Sequence, residues 1–159
     1  MKNIIKSAVF SPCRKYRYSL SRTWDINQKI ILFIGLNPST ADETHDDPTI
    51  RRCLLYSSSW GFGGLIMVNL FAFRATLPKD LKNSKHPVGR DNNQFIINAH
   101  KKASMTVAAW GNDGDLFNRD QEVLEIITNQ CALKLIKPGN QHIRSIKKKT
   151  SNQNLIVFD

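Results

Sequence analysis

A chain of 159 residues is the size of one ordinary domain built round one core. With 41% hydrophobic and 23% charged residues it is expected to be globular, and no apolar run approaches the ~20 residues of a membrane span, which excludes a membrane protein. The formal charge of +10 is large for this length and favours a polyanionic partner, nucleic acid with DNA foremost, although basic charge also serves plain solubility. The basic start at Met1 to Lys6 has no apolar stretch behind it of the kind a signal peptide needs, so a cytoplasmic location is expected. Cys13, Cys53 and Cys131 are odd in number, far apart and one short of the thiolates of an ordinary cubane cluster; reduced packing residues, no metal and no cofactor are expected.

Taken in chain order, residues 4–10 and 16–20, either side of Ser11-Pro12-Cys13, read as a hairpin or an edge addition within residues 1–25. Residues 30–35 are a continuous apolar run closed by Gly35, the pattern of a strand buried on both faces. Asp46-Asp47-Pro48 offers a carboxylate cap and a first-turn proline to a helix carrying Ile50, Cys53 and Leu54. After a turn at Gly61-Phe62-Gly63-Gly64 comes a second strand, 65–69. A helical stripe of Phe95, Ile96, Ala99 and Ala103 follows Asp91, then a strand at 105–110. Val123, Leu124 and Ile127 make a third stripe after Asp120, residues 132–136 a fourth strand, and residues 155–158 offer a last one inside a basic C-terminal extension, 145–159. The alternation predicts one α/β domain over 1–159, a three-layer sandwich around a mostly parallel four-stranded sheet, and a monomer.

Ligands of open α/β sheets bind beyond the carboxyl ends of the strands. The polar residues there are Asn37, Ser39, Thr40 and Asp42 after the first strand, Asn69 and Arg74 after the second, Asn112 and Asp113 after the third, and Asn140 and His142 after the fourth. Pro38 keeps Asn37 out of helical conformation, at the strand end. A plain turn that uses Asn and Ser as local caps accounts for this loop equally well. His86, His100 and His142 have no metal-ligand spacing with a Cys or carboxylate pair.

The runs Gly35 to Asp42, Asp46 to Cys53 and Asn69 to Thr76, with Pro87-Val88-Gly89, Ala108-Ala109-Trp110-Gly111 and the Tyr-x-Leu-x-Arg-x-Trp pattern from Tyr18 to Trp24, resemble an uncharacterised bacterial and phage family, domain of unknown function 1643. The likeness covers most of the chain; it departs at Gln141 to Ser145, where the family shows a Pro-Arg-His-Pro-Leu-Tyr-like segment. That family is similar in layout to the uracil-DNA glycosylase superfamily, whose Gly-x-Asn-Pro loop, strand-ending Asn and late-loop His match Asn37, Asn69 and His142.

The resemblance implies a uracil-DNA-glycosylase-like fold and hydrolysis of the N-glycosidic bond of a flipped uracil-like or modified base in nucleic acid. Asn69 would read the base edge, with Leu36 and Phe71 lining its pocket; His142 would donate to the base oxygen; Ser39, Thr40, Arg74 and Arg144 would hold the backbone. Asn37 can position a water but, as a neutral amide, cannot take its proton. Asp42 is the first candidate for that task, with His45, Asp46 and Asp47 behind it, the last two better explained as caps. Two alternatives stand beside this reading: a non-catalytic module that binds nucleic acid or a partner through the same pocket, and an enzyme of free nucleosides or nucleotides.

Overall fold

The computed structural model describes residues 3–130, with the strands at 133–135 and 153–157. Strands β1 (Ile5–Phe10) and β2 (Arg17–Thr23) pair antiparallel as a hairpin. β3 (Ile30–Gly35), helix α1 (Pro48–Ser59), β4 (Gly64–Asn69), the short α2 (Pro78–Asn83), α3 (Asn92–Lys102) and β5 (Met105–Ala109) follow. A 3-10 turn, Asn112–Asn118, leads into α4 (Arg119–Gln130), β6 (Leu133–Leu135) and β7 (Gln153–Val157).

The sheet is wider than the expected four strands. Among the described residues it has seven, in the order β1-β2-β4-β3-β5-β7-β6, and the five from β4 to β6 are parallel. The increase has two sources. The N-terminal hairpin adds its two strands antiparallel to β4, with Leu20 opposite Met67, and residues 153–157 enter between β5 and β6.

The continuous apolar runs are explained by helices on both faces. Leu32 and Ile34 of β3 pack with Ile96 and Ala99 of α3 and with Val123 and Ile127 of α4. The alternate residues Ile31 and Phe33 pack with Ile50 and Cys53 of α1 on the other side. Three layers result, and a strand so placed cannot show hydrophobic alternation. α1 begins as its sequence suggests: the Asp47 carboxylate accepts the Ile50 N–H at 2.9 Å, and Pro48 occupies the first turn. No helix among the described residues is long and apolar enough to cross a membrane.

Strand order also decides where a ligand can sit. From the central β3 the chain crosses by α1 to β4 on one side; from β4 it returns by α3, on the opposite face, to β5. Connections that leave a sheet in opposite directions open a crevice at its carboxyl edge.

Candidate functional site

That crevice holds a cavity of about 200 Å³, lined by the ends of β3, β4 and β5 through Gly35, Asn69 and Ala109, and by Leu36, Asn37 and Ser39 of the loop that follows β3. α1 contributes its cap, Asp47, with Thr49 and Ile50; β2 contributes Arg17.

Asn69 is nearly buried, and its Oδ1 accepts from Arg17 Nη2 at 3.3 Å. This contact fixes which end of the amide is which. The nitrogen lies over Gly35, where a Cβ would stand 2.8 Å from it, so a residue without a side chain is what lets the amide lie flat against β3. The Asn69 carbonyl, with the Leu70 carbonyl, accepts from Asn92 Nδ2, at 2.9 and 3.0 Å. Asn37 is half-buried. Its Nδ2 donates to Ala75 O at 2.8 Å and Pro38 O at 3.1 Å, tying the loop after β3 to the loop after β4. Among the described residues its oxygen accepts no hydrogen bond.

Arg17 is 2% exposed. Nη1 donates to Ala41 O at 3.0 Å, and Nε has no partner among the described residues. Burial pushes the guanidinium pKa down to about 10 against the opposing pull of Asp47, which leaves it a cation at neutral pH. The cavity thus carries a buried positive charge, a cap carboxylate and two oriented amides.

The predicted site residues divide sharply. Leu36, Asn37, Ser39 and Asn69 come together at the cavity. Asp42 does not join them: its Oδ1 accepts the N–H groups of Thr44 and His45, both at 2.7 Å, and the Thr44 hydroxyl at 3.0 Å. The His45 and Thr44 N–H groups hold that carboxyl far below the usual carboxylate range, so Asp42 closes its own turn. Phe71 lies elsewhere too, fully buried in the core beside α3 and edge-on to Phe117 at 6.2 Å. Thr40 is exposed and lines no part of the cavity. Arg74 donates to Ser39 O and Arg14 O, both at 3.3 Å, and its guanidinium lies 5.0 Å over the Phe10 ring. His142 and Arg144 lie outside the described residues.

Arg17 was missed by sequence reasoning. Strict alternation puts it on the face opposite Arg22, but the hairpin register skips one residue between the Val9–Ser19 and Phe10–Arg17 pairs. The extra residue brings Arg17 into phase with Arg22, and both reach carbonyls of the loop 41–45. Asp47 ranked behind Asp42 as a proton acceptor and was better explained as a cap; it is a cap that also borders the cavity.

Among the described residues, no cluster of His, Cys, Asp and Glu has the makings of a metal site. No curated protein and no solved structure matches the chain. One family model does, over residues 17–152, a span that runs from the buried Arg17 through every residue of the cavity: the chain belongs to the family described as protein of unknown function, DUF1643.

Proposed function

We propose that this cavity receives a single heterocyclic base and that the protein is a glycosylase-like hydrolase acting on a flipped uracil-like or modified base in nucleic acid. The observation that carries the reading is the convergence of Asn69, Asn37, Arg17 and Asp47 on a space of about 200 Å³. A space of ~150 Å³ admits one benzene-sized ring, so this one suits a single base.

In this reading the Asn69 amide, held by Arg17, donates from a known end and discriminates base edges by their acceptor pattern. Asn37 offers its free oxygen to a water facing the sugar carbon. The base leaves with the electrons of the glycosidic bond, and the water adds to the electron-deficient sugar. Asp47 takes the part first considered for Asp42: its carboxylate accepts the proton that the water loses as it adds, and its charge lies beside a sugar that is developing positive charge. His142 remains the proposed donor to the departing base. The charge of +10 suits a polyanionic substrate.

The test is release of free base from single- and double-stranded oligonucleotides containing uracil, other deaminated bases and modified pyrimidines, followed by mass detection. Release is expected to fall at least ~10²-fold in Asn69→Ala and in Asp47→Asn, the second keeping a good helix cap while removing the charge. One observation favours a second reading, the binding module: Asp42 is spent within its own turn, and Asp47 already accepts from Ile50. Salt-sensitive oligonucleotide binding without release of any base would establish that reading, and release from free nucleotides alone would point to a small-molecule enzyme.

A further inference from the structure

A second concavity, of about 560 Å³, lies between the β1–β2 turn and the loop 85–90. Its floor is aromatic. Tyr18 stacks on Phe95 of α3 with centroids 5.1 Å apart and planes 9° from parallel. Tyr16 lies parallel to Tyr18 within 10° at 6.4 Å, and meets Phe73 edge-on at 5.7 Å. Both rings are thus held from beneath. The loop that walls them is also fixed: Ala72 N–H donates to Val88 O at 3.0 Å and Phe73 N–H to Pro87 O at 3.1 Å. Gly89 has φ +85°, and a Cβ there would stand 3.0 Å from Tyr16 and 3.2 Å from Tyr18, so only glycine brings this backbone flush to the rings.

The same wall is basic. Lys85, His86 and Arg90 line it and no acidic residue does; among the described residues neither Lys85 nor Arg90 is in an ion pair. Preformed aromatic faces beside unpaired cations are what a nucleotide needs, a π-surface for the base and charge for the phosphate. The volume is in the range of ~300–1,000 Å³ for sites that take ligands larger than one ring.

We infer that this groove is a second nucleotide site, in which a base stacks on Tyr16 and an adjacent phosphate is held by Lys85 and Arg90, the nucleotide being part of a single strand. Its placement suits one strand serving both sites. Arg17, between Tyr16 and Tyr18 on β2, sends its side chain into the base cavity while its neighbours line the groove. Only this description as a flanking site rests on the proposed function; the groove's affinity for nucleotides does not.

Cys13 supplies a readout. Its exposed thiol lies at the groove, 3.3 Å from Ser11 Oγ, and that hydrogen bond, helped by Lys15, lowers its pKa, which favours alkylation. Saturation with oligothymidylate is expected to slow Cys13 alkylation at least ~10-fold, followed by peptide mass mapping, and Tyr16→Leu is expected to weaken oligothymidylate about 10-fold while leaving an abasic phosphodiester of equal length unaffected. The double substitution of Lys85→Gln and Arg90→Gln, at exposed positions where folding is not at stake, is expected to weaken both probes and reduce the salt slope by about 0.7, the share of the one phosphate they hold. Equal protection by thymidine monophosphate would uphold the site and assign it to free nucleotides. Unchanged alkylation at saturating oligonucleotide, or unchanged affinity in the double variant, would overturn it. Base release that fails while Cys13 protection persists would sink the glycosylase reading alone.

Discussion

Gly35 and Asn69 are coupled through a space no side chain occupies. Gly35→Ala would drive a methyl group into the Asn69 amide nitrogen, and the amide can yield only by breaking its contact with Arg17. The expected result is a folded protein, within about 1 kcal/mol of the parent, that binds no ligand in the cavity. Circular dichroism with equilibrium binding separates those two effects; loss of structure together with binding would mean that the position serves the strand and not the amide. Asp42 teaches the converse at the same scale. The sequence offers five acidic or titratable residues within six positions of one loop, and only their hydrogen-bond partners distinguish the one that closes a turn from the one that faces the cavity. Those partners are the loop's own backbone, whose course no residue pattern announces.

β2 is the element that makes the site loop rigid. Arg22, wholly buried, donates from Nε to Asp46 at 2.7 Å, from Nη2 to the carbonyls of Asp42 and His45, and from Nη1 to those of Ser21 and Ser7. Lys6 of β1 closes on the same Asp46 at 3.0 Å. Arg22→Met leaves Asp46 and the loop carbonyls short of partners, and should cost about 3 kcal/mol in urea unfolding. Lys6→Met, at an exposed pair, should cost under ~1 kcal/mol. The elements themselves were largely legible. The apolar runs at 30–35, 65–69 and 105–110 are β3, β4 and β5 to within a residue, because strands covered on both faces write their burial directly into composition. α2 was not legible: it is six residues long with Leu81 its one buried side chain, too short for a periodic stripe. The phase of Arg17 was hidden by a bulge, and Phe71 was misplaced because an apolar residue one turn beyond a strand reads the same whether it faces ligand or core.

For the molecule as a whole, acid stability should hinge on His100. It is fully buried on α3, its Nδ1 is 2.8 Å from the Thr106 hydroxyl of β5, and its Nε2 has no partner among the described residues. Burial pushes its pKa down from 6.5 to about 4. The folded state therefore binds fewer protons than the unfolded chain between those values, so stability is full above pH 6.5 and falls as the pH drops toward 4. The loss is on the order of 3 kcal/mol. Urea midpoints across that window should decline in the parent and stay level in His100→Gln, which keeps a hydrogen-bonding group for Thr106 but cannot titrate there; a decline of equal size in the variant would remove His100 from the account.

The antiparallel docking of β2 on β4 bears, finally, on the order in which the molecule assembles. The hairpin is synthesised first, yet Leu20 must wait for Met67, and Arg17 for Asn69, before it has anything to grip. Contacts so distant along the chain close late. A refolding molecule in which β3 and β4 have already paired but the hairpin is still loose has helices and a core and no ligand pocket, so recovery of binding should lag behind recovery of secondary structure. In that interval β4, every residue of it buried in the finished fold, is an open apolar sheet edge, and it is then that one chain is most apt to pair with another.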